Sequence, residues 1–336
     1  MKRYGDLYHK ITDLDNIRSA YEKARKGKRW QRTVRNFEAN LEDNLLQIQK
    51  MLVDKTYKTS AYETKMIHEP KERLIYKLPF APDRIVQHAI MNIIEPIWES
   101  FFINESYACR KGKGIHAGSK KTMEFVRRNI YCLKGDMSKF YPSMNHDVLY
   151  NIICRKIKDK YVLELLKNII YSIGGETNIP IGNYTSQWMG NLYLNELDQR
   201  VKHVYKIKDY IRYCDDFLLF SNDKVLLKNV LADMEIYIDR ELKLKMSKKD
   251  IFQVSRGVDF LGYRHFRKYI LVRKSTVKRV TKRLKKLPYM YKKGKITTEQ
   301  YRSSLASTNG WLKWANSYNL RQKLNLDSLL KEAVRC

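Results

Sequence analysis

Ile211-Arg212-Tyr213-Cys214-Asp215-Asp216-Phe217-Leu218-Leu219-Phe220 decides how the rest of this chain is read. Short apolar runs rich in aromatic and β-branched residues flank the one adjacent aspartate pair of the sequence. That spacing predicts two strands with the carboxylates at the hairpin tip. Two carboxylates side by side repel unless something offsets their charge, and hard carboxylate oxygens suit a divalent cation. Alone, such a pair reads equally well as a solvated turn.

A second acidic strand end tips the balance. Ile130-Tyr131-Cys132-Leu133-Lys134-Gly135-Asp136-Met137-Ser138-Lys139-Phe140-Tyr141 predicts a strand over 130–136 that runs into Asp136 and then a turn carrying adjacent aromatics. By itself Asp136 would be a strand-end cap. Together with Asp215 and Asp216 it becomes the candidate third ligand of a two-metal site, with Met137 beside it counted in the ligand set. Phosphodiester synthesis needs such a site to hold the attacking hydroxyl and the leaving pyrophosphate in line.

Charge points to a polyanionic partner. The 336 residues carry 66 Lys and Arg against 36 Asp and Glu, a net +30. No apolar run approaches the roughly 18–20 residues that span a bilayer, and the first residues lack the apolar core of a signal peptide. Five widely spaced cysteines with no C-x-x-C read as reduced thiols of an intracellular protein.

The pattern along the chain alternates. Residues 1–60 read as a basic helical segment, with Phe37, Leu41, Leu45, Ile48 and Leu52 at helical spacing. Short β-like runs follow over 61–80, then a helix over 83–102. The centre reads as strand 130–136, helix 145–172, helix 185–206, hairpin 209–220 and helix 223–242. Between positions 263 and 298 there are fourteen Lys and Arg and no acidic residue. Within that run Val277, Val280, Leu284 and Leu287 form a narrow apolar stripe, with Lys278, Lys282 and Lys286 among the cations that fill the rest. The absence of acids favours a phosphate-tracking surface over a merely solvated face.

The Asp136-x-x-x-Phe140-Tyr141 and Tyr213-Cys214-Asp215-Asp216 segments resemble motifs A and C of reverse transcriptases. The resemblance implies an α+β right-hand polymerase fold: fingers and palm over 61–262, the palm an antiparallel sheet backed by helices, and a small basic helical thumb over 263–336. It implies that Tyr141, five residues after the first aspartate, gates against a 2′-hydroxyl. Glu69-Pro70-Lys71-Glu72-Arg73-Leu74-Ile75 resembles the fingers hairpin that grips the incoming triphosphate, with Arg73 and either Lys71, Lys65 or Lys77 as the cations. Gly257-Val258-Asp259-Phe260-Leu261-Gly262-Tyr263 resembles the primer grip. Lys248 and Lys249 both remain candidates for the lysine near the leaving phosphate.

Pro180-Ile181-Gly182-Asn183-Tyr184-Thr185-Ser186-Gln187 narrows the family. Most reverse transcriptases resemble Q-G-x-x-x-S-P here, whereas this chain reads I-G-x-x-x-S-Q, which is similar to the enzymes of diversity-generating retroelements. Ile181, Gly182 and Gln187 would then line the nucleotide pocket. The likeness extends to the stretches around Gly112-Lys113-Gly114 and Asn309-Gly310-Trp311-Leu312-Lys313-Trp314. It implies an RNA-directed DNA polymerase that copies a template RNA into cDNA, with errors concentrated opposite template adenines. It also implies deoxynucleoside triphosphates as substrates, an RNA–cDNA hybrid as product and two Mg²⁺ as cofactor, with Mn²⁺ as a substitute. A small basic accessory variability protein is the implied partner, and the cytoplasm of a bacterial host the implied location. Nothing after position 298 offers the clustered carboxylates of an RNase H or endonuclease domain. The competing expectations are a related bacterial retroelement or phage-defence reverse transcriptase, and a non-catalytic RNA-binding scaffold.

Overall fold

The computed structural model describes residues 2–68 and 71–335, with side chains to Ala333. Glu69 and Pro70, in the stretch read as the fingers hairpin, and Cys336 lie outside the described residues. The chain gathers into two compact units that interleave in sequence. One comprises residues 1–109, 136–206 and 231–248, and the other residues 110–135, 207–230 and 249–336.

In the first unit the basic N-terminal segment forms four helices, Tyr8–Thr12, Leu14–Arg25, Arg32–Glu38 and Leu41–Val53. Asp13 caps the second by accepting from the backbone N–H of Asp15 and Asn16. The helix expected over 83–102 enters through a π-turn, Phe80–Arg84, and continues as Ile85–Glu99. It packs on Leu14–Arg25, where Ala20, Ala24 and Ala89 are fully buried and Asn16 Nδ2 reaches the Ala89 carbonyl at 3.1 Å. Two strands, β1 (Glu63–Ile67) and β2 (Arg73–Lys77), form an antiparallel hairpin. The Tyr184–His203 helix is buried on nearly every side, which is why its apolar residues show so little one-faced periodicity.

One expected helix is broken. Residues 145–172 form His146–Cys154 and Lys160–Ile170. The apolar spacing continues across the gap, but Asp159 ends the continuity as the cap of the second helix, accepting from Tyr161 and Val162. Its other oxygen accepts from Leu7 and Tyr8 N–H at 2.7 and 2.9 Å. Burial pushes the Asp159 carboxyl up, but these four backbone donors outweigh it and hold it below its ordinary value.

The second unit carries a four-stranded sheet ordered β4-β5-β3-β6. Its strands are β3 (Tyr131–Met137), β4 (Tyr210–Tyr213), β5 (Asp216–Ser221) and β6 (Met246–Gln253). Asp136 and Met137 at the end of β3, and residues 246–248 at the start of β6, are counted with the first unit. A three-stranded antiparallel sheet follows: β7 (Val258–Phe260), β8 (Tyr263–His265) and β9 (Ile270–Val272). The segment after Gly262 therefore starts as strand, not helix. Tyr263, His265 and Val272 are buried there while Arg264 between the first two is not, a period of two that the many cations obscure in the sequence. The helices Ile115–Arg128, Lys274–Lys292, Thr298–Lys313, Tyr318–Lys323 and Leu326–Arg335 also belong to this unit. Val280, Leu284 and Leu287 pack with Tyr301, Leu305 and Leu312 in one core.

Ser119 links this unit's parts through a buried polar chain. Trp314 Nε1 donates to Ser119 Oγ at 2.9 Å, and Ser119 Oγ lies 2.8 Å from His265 Nε2. His265 Nδ1 is 3.1 Å from the Val258 carbonyl. A carbonyl only accepts, so Nδ1 carries the proton and Ser119 donates to Nε2 of a neutral ring. Among the described residues no helix is long and apolar enough to cross a membrane. None of the four described cysteines is in a disulfide.

Candidate polymerase site

The aspartate hairpin forms as its sequence predicts. β4 and β5 pair antiparallel with Tyr213 opposite Asp216, leaving Cys214 and Asp215 at the tip. Cys214 adopts φ 54°, a left-handed conformation that closes the two-residue turn. The Arg212 side chain is fully buried and donates to the Cys214 carbonyl at 3.0 Å, fixing the tip from below. On β3, Lys134 places its ammonium 3.7 Å from Asp216 Oδ2 and donates to the Asp259 carbonyl at 2.5 Å. This cation offsets part of the charge of the aspartate pair. Cys132 is fully buried, and burial pushes its thiol well up, against the opposing pull of Lys134, so it is not a nucleophile.

β3 and β5 approach closely because Gly135 has no side chain. A Cβ there would lie 2.1 Å from the Phe217 ring, which is itself fully buried. Asp136 follows Gly135, in the first unit. Ser247 Oγ lies 3.2 Å from both the Asp136 backbone carbonyl and its Oδ2, and Ser138 N–H donates to the Lys245 carbonyl at 2.7 Å. Met137 is 2% exposed, so its side chain faces the core and only its backbone can serve a ligand.

The remaining candidates of the nucleotide pocket all belong to the first unit. Lys139 takes φ 43° and turns the chain into the short Phe140–Ser143 helix. Tyr141 rests on Gly190 of the Tyr184–His203 helix, where a Cβ would meet its hydroxyl at 3.2 Å and Cε1 at 3.3 Å. The Tyr141 carbonyl accepts from Ile179 N–H at 2.9 Å.

The Ile181–Gly182 turn is fastened to the β1–β2 hairpin. Tyr76 N–H donates to the Ile181 carbonyl at 2.8 Å, and a Cβ on Gly182 would collide with the Tyr76 carbonyl at 2.1 Å. Gly182 also sits at φ 133°, so glycine is required twice over. Asn178 Nδ2 donates to the Tyr76 hydroxyl and Asn183 Nδ2 to the Tyr62 hydroxyl, at 2.9 and 2.8 Å. Gln187 is exposed and Ile181 half-buried. Arg73 pairs with Ile67 across the hairpin, and the register sets Arg73, Lys65 and Lys77 on one face. Lys71 lies beyond the strand and is exposed. Lys278, Lys282 and Lys286 are all exposed on the Lys274–Lys292 helix.

Several contributors escape a reading of the sequence: Lys134, Ser247, Arg212, Gly190 and the Tyr62–Tyr76 pair. Lys134 alone left a signal, since it lies two residues before Asp136 on a strand. Among the described residues no cluster of three or more His, Cys, Asp or Glu side chains is gathered for a metal. The donor chemistry at the hairpin tip nonetheless fits a hard cation, since carboxylates offer oxygen ligands, and Asp136, near the end of β3, belongs to the first unit.

The reverse transcriptase (RNA-dependent DNA polymerase) family matches residues 63–265, more than half of the chain. Protein YkfC of Escherichia coli K12 is 27% identical over 238 residues, covering 57% of this chain and 62% of that protein. The group II intron-encoded protein LtrA of Lactococcus lactis subsp. cremoris is 22% identical over 296 residues, covering 66% of this chain and 49% of LtrA. The chain thus spans less than two thirds of either relative. Among solved structures, an apo telomerase from Candida tropicalis truncated of its C-terminal domain aligns at TM-score 0.47 and 13% identity, over 68% of this chain and 59% of that one. On the match over residues 63–265, with strands ending at Asp136 and at the Asp215–Asp216 tip, the chain belongs to the reverse transcriptase family.

Proposed function

We propose that this protein is an RNA-directed DNA polymerase that copies a template RNA into cDNA from deoxynucleoside triphosphates. The observation that carries the reading is the β4–β5 hairpin, which holds two aspartates at a tip pinned by the buried Arg212. Asp136, Asp215 and Asp216 would hold two Mg²⁺, or Mn²⁺ in its place, with the Met137 backbone beside them. The ions would supply neutralisation of charge developing on the attacking and leaving oxygens.

The chain's own residues do the rest. Tyr141, backed by the Gly190 helix, excludes a 2′-hydroxyl by volume. Arg73 and a lysine of the same hairpin grip the triphosphate. Residues 1–60, 61–262 and 263–336 act as basic N-terminal segment, fingers with palm, and thumb. The exposed cations Lys278, Lys282 and Lys286 track the RNA–cDNA backbone.

The finer reading is a diversity-generating enzyme, working with a structured retroelement RNA and a small basic accessory protein. Ile181 and Gln187 support it, because an aliphatic side chain at 181 offers the nascent pair no hydrogen bond that Gln would offer. Likeness to the intron-encoded LtrA favours the rival reading, a reverse transcriptase serving another bacterial retroelement. The test is cDNA synthesis by purified protein on a defined RNA, with products sequenced. Errors concentrated opposite template adenine are expected, and a flat substitution spectrum would favour the rival.

A further inference from the structure

Trp30 is 75% exposed on a turn whose neighbours are mostly cations. Between positions 23 and 35 there are seven Lys and Arg and no acidic residue. The turn joins the Leu14–Arg25 and Arg32–Glu38 helices and is closed by its own backbone hydrogen bonds. Lys28 N–H donates to the Arg25 carbonyl at 2.8 Å and Gln31 N–H to the Lys28 carbonyl at 2.9 Å, with Gly27 at φ 72°. Its base is fixed as well: Arg25 is paired with Glu22 and Glu38 at 2.7 and 2.9 Å, and Lys28 Nζ reaches the Ala24 carbonyl. Those two cations serve the fold. Lys26, Arg29, Arg32 and Arg35, within five positions of Trp30 in sequence, are exposed.

A lone exposed apolar side chain is ordinary, and so is a solvated charge run. An exposed indole on a hydrogen-bonded turn flanked on both sides by exposed cations is a more specific arrangement. It suits single-stranded nucleic acid, whose bases stack on the ring while the flanking phosphates meet Lys and Arg. A duplex offers no free base face to the ring. An anionic membrane would call for an apolar helix face, but Val34 and Phe37 of the Arg32–Glu38 helix are turned into the core.

We propose that Trp30, with Lys26, Arg29, Arg32 and Arg35, forms a stacking site for single-stranded RNA. The choice of RNA over DNA rests on the reading of the chain as an RNA-copying polymerase, since the unpaired template is the single strand present before synthesis. The test compares full-length parent, Trp30→Ala and Trp30→Phe proteins. Each is titrated with an unstructured RNA of about 12 nucleotides, the matching single-stranded DNA, duplex RNA and phosphatidylglycerol vesicles.

The Ala variant should lose about 5- to 100-fold in affinity for the single-stranded RNA, with duplex binding unchanged, and Phe should restore most of the loss. Parent tryptophan fluorescence should be quenched by the RNA, less so in the Phe variant. Four results would overturn the site: unchanged single-strand affinity in the Ala variant, an equal loss for duplex, tighter binding of the DNA than of the RNA, or quenching by vesicles and not by RNA. Extension of a primed RNA is measured in parallel. A Trp30→Ala protein that extends normally but binds RNA like the parent removes only this site, whereas a parent that does not extend removes the reading on which it rests.

Discussion

Tyr141 packs on a residue nearly fifty positions away: a Cβ on Gly190 would lie 3.2 Å from its hydroxyl and 3.3 Å from its ring, so a larger residue there would have to push the ring aside by a few tenths of an ångström. In its proposed role Tyr141 excludes a 2′-hydroxyl by volume, so Tyr141→Ala should admit ribonucleotides. Single-nucleotide incorporation with dNTP and rNTP would measure it, and equal discrimination by parent and variant would remove the role. Ile181 differs in that its backbone is fixed by Tyr76 while its side chain is only half-buried. Ile181→Gln should therefore change the chemistry at that position without moving the turn. Leaving one buried polar group without its hydrogen bond costs about 1–3 kcal/mol, roughly 5- to 150-fold. Sequenced cDNA from one template should show errors at adenine falling more than errors elsewhere, and a proportional fall at all bases would argue against a specific hydrogen bond.

At the scale of elements, the Lys274–Lys292 helix separates packing from binding: Val280, Leu284 and Leu287 are buried, and the cations between them are exposed. Neutralising Lys278, Lys282 and Lys286 together should leave folding intact. It should lower the slope of log affinity against log salt by up to about three units, roughly 0.7–0.9 for each phosphate no longer neutralised. An unchanged slope would make the run a solvated face. The β7–β8–β9 sheet makes a different prediction. Burial lowers the His265 imidazole to about 4, against an ordinary value of 6.5, and the ring is neutral between Ser119 and Val258. The unfolded chain then binds a proton between pH 6.5 and 4 that the folded chain does not. Stability of the second unit should fall as pH drops through that window, by about 3 kcal/mol at most from this ring. Chemical denaturation of parent and His265→Gln at about pH 7 and about pH 5 would test it. The parent should lose more than the variant on acidification, and equal losses would assign the effect elsewhere.

Over the whole molecule, legibility followed range. The β4–β5 hairpin was readable because two short apolar runs and a paired acid lie within ten residues. The Tyr184–His203 helix was readable from length. The β8 and β9 strands were hidden by their cations, and the break at Asp159 by apolar spacing that continues across it. The fastening of Ile181–Gly182 to Tyr76 was unreadable, since a backbone hydrogen bond between residues over a hundred positions apart leaves no mark in composition. The net charge of +30 named a polyanion but not a reaction. In the proposed reading the reaction depends on Asp136, Asp215 and Asp216, and the most direct test compares the parent with Asp215→Asn in extension of a primed RNA, with RNA binding measured alongside. The account predicts extension by the parent and a loss of about a thousandfold or more in the variant, with binding retained, because the substitution removes a carboxylate that holds transition-state charge. Extension by the Asp215→Asn protein at close to the parent rate would contradict it.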